Sequence, residues 1–266
     1  MELELEMKLN IISDIHRNVD DKEGNIKWET FDPTKLEPAD YLIVAGDLGL
    51  ADNYDRVLNS LKEKVEGKFK DVLAVKGNHD FWDMSFIEDK RPDAKDDRYV
   101  DVVDGDVAIF GVSMWTPVNS LRDRYMVERN MNDMRWIPHW NAEYQTQYYK
   151  ECRAWIIQKY REYEGKKRVI VTHHCPRQEM IDDEYRYEIS GDSFGISATY
   201  CVTDRSLDDL KPVLWACGHT HSTFDETIDG VRYVRNPIGY HGTSWNMPDD
   251  FSEVPQTTWY NKVVEV

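Results

Sequence analysis

Residues 41–47 read Tyr41-Leu42-Ile43-Val44-Ala45-Gly46-Asp47. Five apolar residues in succession, with no polar residue between them, read as a strand covered on both faces, the habit of parallel sheets inside α/β domains. Gly46-Asp47 marks where the strand stops and the chain turns. The same pattern recurs outward in both directions, and residues 8–13, 71–75, 107–112, 168–172 and 213–216 are predicted as further buried strands. Between them, residues 53–69 set Val57, Leu58, Leu61 and Val65 at helical spacing and close near Gly67. A longer helix is predicted over 141–164, with Asn141 as N-cap, Trp155, Ile156 and Tyr160 on one stripe and Gly165 just past the end. Residues 222–227 and 231–234 flank Asp229-Gly230 and are predicted as a hairpin with a type I′ turn, and 259–264 as a final strand.

No composition shift, low-complexity stretch or repeat divides the chain, so residues 1–266 are read as one α/β domain. Two long segments, 113–140 and 176–203, fit no predicted element; loops of that length usually line binding surfaces, and both are candidate substrate-shaping insertions.

The 41% of hydrophobic residues can close a core in a chain of 266, which excludes global disorder. Lys and Arg number 33 against 50 Asp and Glu, a formal charge of −17 spread without runs. Such a surface repels polyanions, so polymeric nucleic acid and anionic membranes are disfavoured as partners. Apolar runs stay far below the roughly 20 residues of a membrane span, and Met1-Glu2-Leu3-Glu4-Leu5-Glu6 is not a cationic leader. The expectation is a soluble, cytoplasmic protein. Cys152, Cys175, Cys201 and Cys217 show no Cys-x-x-Cys pair and are expected to be reduced thiols.

Histidine placement carries the chemistry. Six of the eight histidines lie directly after predicted strands: His16 in Asp14-Ile15-His16, His79 in Gly77-Asn78-His79-Asp80, His173 and His174 in Thr172-His173-His174-Cys175, and His219 and His221 in Gly218-His219-Thr220-His221. His139 and His241 fall elsewhere. Ligands of open α/β sheets bind at the carboxyl ends of the strands, so these segments are expected to converge, with Asp47 on the same rim. Asp14, His16, Asp47, Asn78, His173, His219 and His221 form a nitrogen and oxygen donor set without thiolate, suited to Mn, Fe, Zn or Ni. Seven donors are too many for one tetrahedral ion. Two divalent ions about 3.5–4 Å apart, sharing one carboxylate, fit them better.

In that order and behind strands, Asp14-x-His16, Gly46-Asp47, Gly77-Asn78-His79-Asp80, His173 and Gly218-His219-Thr220-His221 resemble the calcineurin-like metallophosphoesterase family, and Asn236-Pro237 after the hairpin resembles its usual ending. The resemblance implies a four-layer α/β/β/α sandwich of mixed sheets with the site at one edge. It implies that Asp14, His16 and His221 hold one ion, that Asn78, His173 and His219 hold the other, and that Asp47 bridges. Hydrolysis would then proceed by in-line attack of a hydroxide held by the two metals, and His79 resembles the residue that stabilises or protonates the leaving-group oxygen.

The chain departs from the pattern at three places. Arg17 precedes Asn18 where many members have glycine, and either grips a phosphate or points into solvent. Leu50 occupies the position at which phosphoprotein phosphatases carry an Asp that orients the leaving-group histidine, so His79 must be oriented by Asp14, by Asp52 or by no carboxylate. His173 and His174 follow one strand, whose side chains alternate; His173 is the expected ligand and His174 a supporting residue or alternative ligand.

Trp115, Tyr125, Trp136 and Trp140, with Arg122, Arg124, Arg129 and Arg135, form either a substrate platform or core packing with solvated charge. The sequence thus predicts a metal-dependent phosphohydrolase acting on a small phosphorylated metabolite or nucleotide. Alternatives are a phosphodiesterase or nuclease, a phosphoprotein phosphatase, or a protein-binding module that has lost catalysis; the last would lack ligands, and here none is missing.

Overall fold

The computed structural model describes residues 6–17, 26, 28, 31–82, 100–181, 205–239 and 262–266. Among the described residues, ten strands and four α-helices follow in the order β1 (Lys8–Ile12), β2 (Tyr41–Ala45), α1 (Tyr54–Lys64), β3 (Asp71–Val75), β4 (Val100–Asp104), β5 (Val107–Val112), α2 (Leu121–Asn130), α3 (Asp133–Trp136), α4 (Ala142–Glu162), β6 (Lys167–Thr172), β7 (Leu214–Cys217), β8 (Phe224–Ile228), β9 (Val231–Arg235) and β10 (Val263–Glu265). They build two mixed sheets, ordered β10-β1-β2-β3 and β4-β5-β6-β7-β9-β8. Within each, the strands that carry site loops run parallel, with Ile43 opposite Ile11 and Leu73, and Val169 opposite Ile109 and Leu214. Their carboxyl ends therefore lie along one edge.

Side-chain alternation explains the four layers. Leu9, Ile11, Ile43, Ala45 and Val75 face Ile109, Val169, Val171, Ala216 and Val234, and this is the seam between the sheets. The opposite faces turn outward. Leu42, Val44, Val72 and Ala74 receive Val57 and Leu61 of α1, while Phe110, Ile170, Trp215 and Tyr233 receive Tyr149, Cys152 and Ile156 of α4. The result is one α/β domain with helix, sheet, sheet and helix stacked in turn.

Most predicted elements appear within a residue or two of their expected bounds. The long helix begins where Asn141 Oδ1 accepts the Tyr144 N–H at 2.9 Å, and Asp229 and Gly230 both take positive φ, as a type I′ turn needs. Three differences have physical reasons. Helix α1 ends at Lys64, short of Phe69, because Val65 already leaves helical geometry. Strand β4 has no counterpart among the predicted strands: it is an edge strand whose sequence VDVVD buries Val100 and leaves Asp101 and Val103 exposed. The segment 113–140 contains α2 and α3, hidden in the sequence because α2 has no apolar stripe; Leu121 and Tyr125 are exposed. Of the predicted strand 259–264 and the insertion 176–203, residues 259–261 and 182–203 lie outside the described residues, as do Asn18, Cys201 and His241.

Candidate metal centre

The loops after β1, β2, β3, β6 and β7 meet at one edge of the seam. Their backbones are stitched to one another: Asp14 N–H donates to Gly46 O at 2.9 Å, His16 N–H to Asp47 O at 2.9 Å and Gly218 N–H to His173 O at 2.8 Å. Asp14, His16, Asp47, His219 and His221 all adopt left-handed backbone, with φ of 53°, 50°, 54°, 76° and 44°. Each costs of order 1 kcal/mol or more for a residue with a side chain, and such strain gathers where side chains must be aimed. Close approach leaves no room for some side chains at all. A Cβ on Gly46 would overlap the His173 ring, and one on Gly77 the Asp47 carboxylate.

All seven predicted ligands are brought together. His16 Nε2 lies 3.0 Å from His221 Nε2, so at most one of these nitrogens carries a proton, and His221 Nε2 lies 3.4 Å from Asp14 Oδ1. Asn78 Oδ1 sits 3.0 Å from His173 Nε2 and 3.1 Å from His219 Nδ1. Asp47 stands between these two groups, its Oδ2 3.3 Å from His173 Nε2 and 3.7 Å from His16 Nε2, while its Oδ1 accepts the His79 N–H at 2.9 Å. Candidate ligand atoms converge within 4.8 Å in the triads Asp14, His16, His221 and Asp47, His173, His219, and also in His16, Asp47, His79.

The protonation pattern suits cations. Burial acts to raise the Asp14 and Asp47 pKa values, yet His221 beside Asp14 and His173 and His79 beside Asp47 hold both below the ordinary carboxylate range. Burial, joined by His79, pushes His16 well down, and burial outweighs Asp47 to push His79 down, leaving both rings neutral. His173 goes the other way: burial would lower it, but Asp47, Asp14 and the Ala45 carbonyl push it up to about 10. Its Nδ1 faces Ala45 O at 2.9 Å, so the proton retained there leaves Nε2 as the lone pair toward Asp47 and Asn78 when the second proton departs. Two buried anions, an amide oxygen and imidazole lone pairs converging within this reach fit divalent metal ions.

Several supports went unassigned in the sequence. Asp80, part of the Gly77-Asn78-His79-Asp80 motif, is buried and accepts the N–H groups of Leu48, Gly49 and Gly77 at 3.3, 2.7 and 2.7 Å, joining the β2 and β3 loops. Asp133 reaches Asn78 from α3, and nothing in its local sequence marks it. His79 is not oriented by Asp52, which is exposed; its ring stacks on Trp82 at 3.6 Å with a 24° tilt and meets His16 edge-on at 4.5 Å.

Other predicted residues fall as follows. His173 rather than His174 reaches Asp47 and Asn78; His174 stacks on His219 at 4.0 Å and lies 5.6 Å from Trp115. Arg17 does not point into solvent. It is buried, and its backbone N–H donates to Leu48 O at 2.8 Å. Leu50 packs against the α4-side core. Trp115 and Trp140 are core residues, 4.6 Å apart between rings. Arg124 pairs with Glu128 and Arg129 with Tyr125, all on the exposed face of α2. His139 is exposed.

A calcineurin-like phosphoesterase family model matches residues 7–223. The chain belongs to that family, whose members use divalent metals, and it is a phosphoester hydrolase. A curated relative, the uncharacterized protein L509 of Acanthamoeba polyphaga mimivirus, is 20% identical over 271 residues, spanning 87% of this chain and 91% of its own. Among solved structures, the phosphopantetheinyl hydrolase PptH of Mycobacterium tuberculosis superposes with a TM-score of 0.63 at 18% identity, covering 99% of this chain and 97% of its own. TT1561 of Thermus thermophilus is more distant, with a TM-score of 0.43 at 14% identity over 87% of this chain and 89% of its own. No described helix is long and apolar enough to cross a membrane.

Proposed function

We propose that the protein hydrolyses a small phosphorylated metabolite or nucleotide with two divalent ions, one held by Asp14, His16 and His221 and one by Asn78, His173 and His219, with Asp47 shared. The observation that carries this reading is the placement of Asp47 Oδ2, 3.3 Å from His173 Nε2 and 3.7 Å from His16 Nε2, between the two donor groups. Bound there, a pair of divalent ions makes water nucleophilic near neutral pH and neutralises charge on the phosphoryl oxygens.

The chain's own residues do the remainder. Asp14 and Asp47 stay ionised and supply the negative charge that draws cations into a buried site. His173 releases its Nε2 proton and keeps the Nδ1 proton on Ala45 O, which fixes its ring. Neutral His79, wedged between Trp82 and His16, is held to offer a ring N–H to the departing oxygen. Trp82 limits the swing of that ring and keeps water from one of its faces. Arg17 is proposed to meet the substrate phosphate, supported by its burial beside the Asp47 loop. The segments 113–140 and 176–203 are proposed to shape the substrate opening. The formal charge of −17 favours a small substrate over a polyanionic one. The protein is further taken to work in the cytoplasm, where Cys175 and Cys217, with sulfurs 3.9 Å apart and unbonded, would stay reduced.

The test is turnover of a chromogenic phosphate monoester beside its bis-ester analogue with added Mn, Fe, Zn or Ni. Monoester hydrolysis abolished by chelation supports the reading. Exclusive bis-ester cleavage would replace it with a diesterase, and activity indifferent to chelation would end it.

A further inference from the structure

Asp133 is fully buried in α3, remote in sequence from every predicted ligand. Its Oδ1 accepts from Asn78 Nδ2 at 2.8 Å and from Trp82 Nε1 at 2.8 Å, and its Oδ2 accepts from Trp115 Nε1 at 2.9 Å. Indole nitrogens only donate, so the two tryptophans commit both carboxylate oxygens to accepting. That settles which end of the Asn78 amide faces Asp133. The NH₂ must point to the carboxylate, and Oδ1 is left toward His173 Nε2 and His219 Nδ1. A flipped amide would set oxygen against oxygen on one side and present an NH₂ to a cation on the other. Trp82, tied to the same carboxylate oxygen, carries the stacked ring of His79.

We infer that Asp133 is a positioning residue: it fixes the amide of Asn78 so that its oxygen is offered to the ion at the His173 and His219 position, and it anchors the indole on which His79 rests. The segment 113–140 thereby acts on the site from inside the core, through α3, in addition to any contact its surface makes with substrate. The inference rests on the dinuclear reading above.

Metal binding can test the two separately. Metal-free protein is titrated with Mn²⁺ by calorimetry, and bound metal is counted by atomic emission after desalting. Wild type is expected to take up two ions. In Asp133→Asn, an amide NH₂ faces donors, Asn78 can flip, and the second ion should bind roughly 10- to 100-fold more weakly, the usual cost of losing a group that orients a ligand. The first ion should stay within about threefold, since Asp14, His16 and His221 do not touch Asp133. The reciprocal exchange Asn78→Asp with Asp133→Asn, made together with Trp82→Phe to remove the indole donor that shares the same oxygen, places a ligand with oxygen at both ends against an NH₂ donor, and should recover at least tenfold of the lost affinity. It also serves should the single variant fail to fold. Two ions bound equally well by wild type and Asp133→Asn, or no recovery in a folded exchange variant, overturns the role of Asp133 alone. Fewer than two ions in wild type overturns the dinuclear reading, and this inference with it.

Discussion

The two sheets contribute chemically different donors to the candidate metal centre. The four-stranded sheet sends Asp14, His16, Asp47 and Asn78 from the ends of β1, β2 and β3, and so provides every oxygen donor. The six-stranded sheet sends His173, His219 and His221 from β6 and β7, and provides only imidazole. Two of the three triads span both sheets: Asp14 and His16 need His221, and Asp47 needs His173 and His219, whereas His16, Asp47 and His79 all come from the four-stranded sheet. Cations bound here would therefore clamp the seam at its open edge, and the apolar seam beneath would hold the donors at coordinating distance. Catalysis and sheet packing should be coupled in this protein in a way that catalysis and helix packing are not.

The strongest blow to the clamp is at the shared carboxylate. Asp47→Asn should lower monoester turnover by more than about 100-fold, the upper end of what losing a mere supporting group costs a metal site, and should reduce bound metal measured by atomic emission. Full activity would show that the two donor groups act independently.

Next comes the seam itself. Ile109→Ala, between the sheets, and Ile156→Ala, on the buried face of α4, should each cost about 2–5 kcal/mol in denaturant unfolding. Only Ile109→Ala is expected also to weaken metal binding, because only the seam sets the distance between the two ligand sets. Equal metal affinity in both variants would uncouple the halves. Chelation should lower stability by about 2.7 kcal/mol relative to protein at a metal concentration roughly 100 times Kd, read as a drop in Tm.

Proton linkage is smaller and has a definite sign. In the metal-free protein His173 has a pKa raised to about 10 from the usual 6.5. A raised folded-state value means its stabilising contribution is complete below the unfolded value and is lost as pH climbs toward about 10. Metal must displace that proton, so binding should release it and strengthen as pH rises between about 7 and 9; calorimetry in buffers of different ionisation heat checks this.

The smallest effect belongs to the exposed counterpart of the clamp. Asp225 on β8 pairs at 2.8 Å with Arg232 of β9 and with Lys262, just ahead of β10, so it too ties the two sheets, but at the surface. Those cations lower its pKa to about 2 against the opposing pull of burial, and its contribution persists above the ordinary carboxylate value and fades as pH falls through about 2. Asp225→Asn should cost only about 0.2–1 kcal/mol, less at high salt.

The site was more legible in the sequence than its supports. His16, His79, His173, His219 and His221 stand out because histidine directly after an apolar run is rare and the runs themselves declare strands. Asp133 gives no such sign: it lies in a four-residue helix behind a polar, stripeless α2, and only the folded chain carries it to Asn78. The orientation of His79 was likewise unreadable. The sequence left Asp14, Asp52 or no carboxylate open, while the structure sets its ring on Trp82, a neighbour by three-residue spacing whose indole is held by a donor bond to α3.

Most strand positions, the α/β class and the candidate donor set were legible in the sequence, with the layered architecture implied by the family resemblance, since apolar runs, turn residues and metal-binding side chains are local properties of the chain. That Arg17 turns inward, that Trp82 and not a carboxylate lies against the His79 ring, and that Asp133 and Asp80 brace the loops were decided only in three dimensions. Those outcomes depend on backbone direction and on hydrogen bonds between segments distant in the chain, and a linear order of residues contains neither.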